Sequence, residues 1–180
     1  LTVPYGWSGT ITPAKAQFVF TPDAASFTNV QNDIGFVFWG DYQYGGGDGT
    51  QADPYQLWTA DDLYELSVMN HDWDKHFILM NDIDLSEPNA PQPDGPIGDM
   101  SACFRGSFNG NHHTIAHLTI SSSIEDVGLF GFVWPAGEPG SLNCFIKNLG
   151  LIDPTIALTS PSSAACAGAL AGNVRSYGDN

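Results

Sequence analysis

The sequence predicts an all-β protein: a right-handed parallel β-helix, a short solenoid covered at its start by one capping α-helix, behind a smaller and separate β-module. Three observations predict it. The 180 residues include 20 Gly and 12 Pro, with Ser, Thr, Asn and Asp crowded between short apolar runs, which is the composition of a turn-rich strand protein. One stretch alone has helical periodicity. Two segments recur within the chain at 31 and 41 residues, a spacing typical of stacked repeats.

Residues 1–44 make the smaller module. Its short strands are Gly6-Trp7-Ser8-Gly9-Thr10-Ile11-Thr12, Gln17-Phe18-Val19-Phe20, Ser26-Phe27-Thr28-Asn29-Val30 and Ile34-Gly35-Phe36-Val37-Phe38-Trp39, punctuated by Pro13, Pro22-Asp23 and Asn32-Asp33. Four short strands are few for a closed sandwich, so this reads as the end of a larger β-domain. Residues 45–52 read as a linker. Four glycines among Gly45-Gly46-Gly47-Asp48-Gly49 leave the chain free to turn. A phosphate-cradling loop is opposed by the flanking acids and by the lack of a following Lys.

The helix spans residues 59–70. Thr59 is placed to cap it, Asp62 stands where a capping box has its acid, and Asp61 and Asp62 suit the positive end of the helix dipole. Leu63, Leu66 and Met69 share one face, suited to covering an open sheet end. The remainder of the range 53–180 alternates strands and turns. Ile115-Ala116-His117-Leu118-Thr119-Ile120 matches Ile146-Lys147-Asn148-Leu149-Gly150-Leu151, and Val127-Gly128-Leu129-Phe130-Gly131 matches Gly168-Ala169-Leu170-Ala171-Gly172 with one inserted residue. No such unit buries its apolar side alone, but stacked units do. The first pair of segments is therefore expected side by side, with Ile115, Leu118 and Ile120 near Ile146, Leu149 and Leu151.

These residues also carry two resemblances. Residues 3–40, with Val3-Pro4-Tyr5-Gly6-Trp7-Ser8-Gly9-Thr10-Ile11-Thr12-Pro13 and Phe20-Thr21-Pro22-Asp23-Ala24-Ala25-Ser26-Phe27-Thr28-Asn29-Val30, resemble the C-terminal part of Ig-like repeats of large secreted bacterial surface proteins. Asp53-Pro54-Tyr55-Gln56-Leu57, Asn81-Asp82-Ile83-Asp84-Leu85-Ser86, Phe104-Arg105-Gly106-Ser107-Phe108-Asn109-Gly110, Gly128-Leu129-Phe130-Gly131 and Ala167-Gly168-Ala169-Leu170-Ala171-Gly172 follow one another in order. Residues 48–174 thereby resemble the GLUG-motif domains of secreted bacterial surface proteins. His112 and Ala169 stand where that family often has Gly. The resemblance implies a β-helix on the cell surface and no settled activity.

Charge narrows the partners. Twenty acidic residues against five Lys plus Arg give −15, so no basic stripe exists for nucleic acid or for anionic lipid. No apolar run is long enough for a membrane-spanning helix. The lack of an initiating Met and of an apolar leader suggests a mature or excised chain. Cys103, Cys144 and Cys166 show no metal-binding spacing. One disulfide plus one thiol, or three thiols packed as small apolar residues, both fit.

Asp82 and Asp84 alternate with Ile83 and Leu85. With the apolar pair inward, both carboxylates leave one outer face about 7 Å apart. A solvated face with turn-capping hydrogen bonds, a Ca²⁺ site, or a carboxylate pair for glycoside chemistry all fit that pattern. Ca²⁺ is the only cofactor the sequence suggests. His71 and His76 lie in a polar loop five residues apart, off helical metal spacing. His113 and His117, four apart on a strand, lie roughly 13 Å from one another and need other strands to complete any metal site. Trp73 and Trp134 sit among polar or Pro/Gly neighbours and are the candidates for stacking on a sugar ring, with core packing as the alternative. No nucleophile motif appears, so no catalytic residue is assigned. The expected function is a non-catalytic extracellular surface or adhesion module. A carbohydrate-binding or polysaccharide-degrading β-helix is one alternative; a structural subunit of a surface layer or fibre is another. Partners are glycans, or neighbouring domains and copies meeting the unpaired strands of an uncapped solenoid end.

Overall fold

The structure, a computed structural model, describes residues 1–123, 125–134, 144–159 and 165–175; the parts of the range 53–180 outside these lie beyond the described residues. Among the described residues strands dominate, with one α-helix, consistent with an all-β chain. It divides into two compact units, Leu1–Gln43 and Tyr44–Asn180.

The first unit has four strands, β1 (Trp7–Ile11), β2 (Phe18–Thr21), β3 (Ala25–Val30) and β4 (Trp39–Tyr42). β1 pairs antiparallel with β3, and β2 with β4. Alternate residues of β1 and β2 turn to one side, as a pleated strand requires. On that side the rings of Trp7 and Phe27 lie 6.4 Å apart, and Phe18 meets Tyr42 at 5.4 Å. Yet none of residues 1–41 is buried. Two two-stranded sheets cannot enclose a core.

The second unit opens with β5 (Tyr55–Leu57), α1 (Ala60–Val68) and a short 3-10 turn, Asn70–Asp72. Then come β6 (His76–Leu79), β7 (Ile83–Asp84), β8 (Ser107–Asn109), β9 (Thr114–Ala116), β10 (Thr119–Ser122), β11 (Asp126–Val127) and β12 (Phe130–Val133). The last strands are β13 (Phe145–Lys147), β14 (Gly150–Ile152), β15 (Thr155–Leu158), β16 (Cys166–Ala167) and β17 (Ala171–Val174). Every ladder here is parallel. One runs β5, β6, β8, β13; a second runs β7, β9, β14; β10, β11 and β12 pair with β15, β16 and β17. Parallel neighbours need long connections; here the β5–β6 connection carries α1, and the later connections carry strands of the other ladders.

The glycine-rich segment differs from a free linker. Gly45 N–H donates to Gln56 C=O at 3.0 Å, Gln56 N–H to Gly46 C=O at 2.8 Å, and the Asp48 and Gly49 N–H groups both reach Asp53 C=O. Residues 45–49 thus fold back onto β5. Gly47, at φ +79, presses so close to the Pro54 carbonyl that a Cβ has no room.

The capping box on α1 forms as its sequence predicts. Thr59 Oγ1 accepts from Asp62 N–H, and Asp62 Oδ2 accepts from the Thr59 and Trp58 N–H groups at 3.0 and 2.9 Å. Leu63 and Leu66 are fully buried. The α-helix ends at Val68, earlier than the expected residue 70. Trp73 Nε1–H donates to Leu66 C=O at 2.8 Å, taking the carbonyl that the Asn70 N–H would use to continue the helix.

Inside the ladders, Phe77, Phe104, Phe108 and Phe130 form an aromatic row. Phe104 and Phe130 are 4.9 Å apart, and Phe108 meets Phe130 edge-on at 5.4 Å. Leu57 faces Leu79 and Ile83 faces Ile115 across neighbouring strands, all buried.

One expected register is displaced. Ile115 pairs with Leu151, Ile120 with Ile156, and Ile146 with Phe108, so Ile115 and Ile146 are not neighbours. From Thr114 to its partner Gly150 the interval is 36 residues, not 31. The two apolar patterns match at either offset. The deciding landmark is a left-handed turn residue after each strand, His117 at φ 57 and Asp153 at φ 48. The later pair lies as read: Val127 beside Ala167 and Phe130 beside Ala171, the interval growing by the inserted residue.

Candidate functional site

Ile83 and Leu85 are buried, so Asp82 and Asp84 turn outward together, as alternation demands. Neither stands alone. Asp82 Oδ1 accepts the Thr114 N–H at 2.8 Å and lies 3.2 Å from His113 Nδ1. Asp84 Oδ1 accepts the Ser86 N–H at 2.9 Å and lies 2.8 Å from His117 Nδ1. The β7–β9 ladder builds both pairs: Ile83 sits beside Ile115, and the two histidines flank β9 at either end. His117 turns back toward Asp84 because its backbone is left-handed.

Both carboxylates are more than half exposed, and the His117 ring is 47% exposed. Hydrogen bonds set their acidity. The Thr114 N–H, then His113, hold Asp82 below the usual carboxylate value; the Ser86 N–H, then His117, lower Asp84 to about 2. A carboxylate on Nδ1 fixes the ring and leaves Nε2 as the outward nitrogen, the arrangement that supports metal-bound histidines. Among the described residues, however, no three His, Cys, Asp or Glu side chains gather to hold an ion. Asp82 and Asp84 by themselves give Ca²⁺ fewer than the six to eight oxygens it takes.

Sequence reading had the aspartates and the histidines as separate clusters. The pairs cross between neighbouring strands, 31 and 33 residues apart. The interval of the β6–β8 register, Phe77 to Phe108, is the signal that would have joined them. That register also sets His76 Nδ1 2.7 Å from Ser107 Oγ. Ser107 is buried and His76 half-buried, and among the described residues no carboxylate bonds the His76 ring, so no third group orients it as a base.

Trp73 is a correction. It is only 6% exposed, and its indole N–H holds the end of α1, so it offers no face to a sugar. Trp134 keeps an open face at 41% exposure, beside Phe132 at 6.1 Å. Trp39, at the open position of β4, and Trp58 are also exposed. Sequence reading passed over both; the alternation of β4 is the signal for Trp39. None of the three Cys is in a disulfide. Cys103 is buried as expected of a small apolar residue, but Cys166 is exposed, and burial pushes the Cys144 thiol up to about 11.

Among the described residues no helix is long and apolar enough to cross a membrane. No family model matches the chain, and no solved structure matches it. Similar proteins include one from Evansella cellulosilytica named as a Gly-rich membrane protein, 36% identical over 142 residues, 76% of this chain and 15% of that protein. Halomucin of Haloquadratum walsbyi is 32% identical over 112 residues, 61% of this chain and 1% of its own length. The chain therefore corresponds to a small part of each relative.

Proposed function

We propose that this chain is a non-catalytic module of an extracellular or cell-surface protein, with its second unit a right-handed parallel β-helix of GLUG type and its first the end of an Ig-like repeat. One observation carries the non-catalytic reading. Asp82 with His113 and Asp84 with His117, brought together on the outer face, bond one another and backbone N–H groups, with both carboxylates more than half exposed. Nothing there aligns a nucleophile with a base.

The β-helix reading is supported by the order of the ladders, with sequential strands pairing in parallel and in register. The names of the two similar proteins, a membrane protein and halomucin, support the surface reading. So do 15 net negative charges, which keep a chain soluble and repel it from like-charged chains. Adhesion through a glycan is the finer proposal, with Trp134 as its stacking residue.

Two measurements test the reading. Protease shaving and antibody labelling of intact source cells should find the chain on the outside; a wholly internal location overturns the surface assignment. A glycan array, run with Trp134→Ala beside the native chain, should show binding that the variant loses. Turnover of any polysaccharide on that panel overturns the non-catalytic reading.

A further inference from the structure

We propose that the cavity between the turn at residues 99–102 and β11 binds a short aliphatic diamine in its protonated form, with the Asp126 carboxylate as the anchor. The site is separate from the face that carries Asp82 and Asp84.

Asp126 is the first observation. It is only 6% exposed, yet among the described residues no donor and no cation bonds its carboxylate. Its backbone is engaged elsewhere. It lies in the β11–β16 ladder, and Gly131 and Gly172 press so close that a Cβ on either would sit 2.9 and 2.6 Å from its carbonyl group. Among the described residues no enclosed side-chain oxygen or nitrogen lacks a hydrogen-bond partner, so the unbonded Asp126 oxygens are the part of the residue that opens into space. That space is a cavity of about 280 Å³ lined by Asp99, Met100, Ser101, Glu125 and Asp126. A carboxylate held this deep is costly until a donor or a cation meets it.

The turn supplies the opposite wall. Asp99 N–H donates to Ala102 C=O at 2.9 Å, and Asp99 Oδ1 accepts the Ser101 and Ala102 N–H groups at 2.6 and 2.8 Å. Ile97 and Phe104, on either side of the turn, bridge to Phe130 and Val133 of β12, whose other edge pairs with β17. The turn is therefore fixed to the edge of β12 away from the last strands. Chemistry then selects the ligand. Three acids make the lining negative, which repels anions. Among the described residues no three His, Cys, Asp or Glu side chains gather to hold a metal ion, and at ~30 Å³ per water the cavity has the volume of about nine waters, more than one ion fills. Among the described residues no aromatic ring lines it, although a quaternary ammonium is held by an aromatic cage and a guanidinium stacks on a ring. A primary ammonium donates three hydrogen bonds. Asp126 and Ser101 offer it oxygens, and Met100, 65% exposed, offers a flexible thioether to the alkyl chain. Asp99 and Glu125 add negative potential for a second ammonium on the same chain.

Calorimetric titration of the full chain with linear diaminobutane at neutral pH, where both amines are protonated, should show one saturable site. Asp126→Asn keeps the shape of the side chain and should weaken binding roughly tenfold or more, the loss of a charge-assisted hydrogen bond. Met100→Lys changes an exposed position and does not depend on the interior tolerating a substitution. Its own ammonium should occupy the cavity and shut out the probe. Val68→Lys makes the same charge change on the exposed side of α1 and should leave binding intact. Lack of a saturable site, unchanged affinity in Asp126→Asn, or equal weakening in Met100→Lys and Val68→Lys overturns the proposal, the last by showing that the probe only screens a −15 chain. Binding of tetramethylammonium, guanidinium or Ca²⁺ as tight as that of diaminobutane overturns it as well, since the site would then not select a primary ammonium.

Discussion

Leu66→Ala isolates what holds α1 to the second unit. The side chain is fully buried on the same helix face as Leu63, while its backbone carbonyl receives the Trp73 indole N–H. Truncation removes packing and leaves that hydrogen bond in place. Leu→Ala at a buried site costs about 2–5 kcal/mol, the spread set by how far the site collapses. Here the capping box fixes the start of the helix and Trp73 fixes its end, so collapse is restricted and about 3 kcal/mol is expected. At ~4 °C per kcal/mol for a unit of this size, the melting temperature falls by roughly 12 °C. Val68→Ala, on the exposed side of the same helix, removes no buried packing and only relieves the lower helix propensity of a β-branched residue, so it should stay within about 0.5 kcal/mol. Urea titrations followed by far-UV circular dichroism give both values. A Leu66→Ala cost no larger than that of Val68→Ala would refute the helix as a packed cover.

Acid should expose the Asp84 bonds. Its carboxyl is lowered from an ordinary 3.8 to about 2, so its contribution is present above the higher value and is lost as pH falls from about 4 toward 2; Asp84→Asn should flatten that part of an acid titration and leave the neutral range in the same shape. Ca²⁺ and Mg²⁺ at equal concentration should raise the melting temperature alike, by screening a −15 chain, and a Ca²⁺-specific gain abolished by Asp84→Asn would establish the metal site. Gly106→Ala should destabilise by more than about 2 kcal/mol in thermal melts, because a Cβ there collides with the Lys75 carbonyl, while Gly35→Ala has open space and should be near neutral. Thiol titration of the folded chain should modify Cys166 quickly and Cys103 only on unfolding, with Cys144 reacting slowly until strongly alkaline pH.

Local signals were the legible ones. Thr59 and Asp62 announce their helix because a capping box is complete within four residues, and Ile83 and Leu85 announce the outward Asp82 and Asp84 because alternation is a property of one strand. What the sequence hid is set between strands. Asp82 meets His113 only through the β7–β9 register, and no local pattern states which residue lies beside which. The match of Ile115 with Ile146 failed for the same reason: apolar letters recur at several offsets, whereas the left-handed backbone of His117 and Asp153 is a single landmark that composition does not display. Trp73 misled because polar letters do not show burial: His71 and Asp74 are exposed, but the turn buries Asp72 and the ring together. The glycines at 45–49 likewise read as freedom to turn, although the structure uses them for close approach to β5.

The ladders also say where any activity of the chain must be sought. From Tyr55 to Phe77 the interval between partners is 22 residues, from Phe77 to Phe108 it is 31, and from Phe108 to Ile146 it is 38. Apolar partners are kept throughout, while the connections between them lengthen. The interior thus fixes strand spacing and the size of inward side chains, while the length between partners varies. Gln92, in one such connection, shows the consequence: its side chain donates to Leu85 C=O and accepts the Thr119 N–H, tying a turn across two strands. Variation that leaves the interior untouched can therefore alter the outer face, turn by turn, without unfolding the protein. Substitution of Phe108 or Ile115 should change stability before it changes binding, and substitution of the exposed Trp134 the reverse.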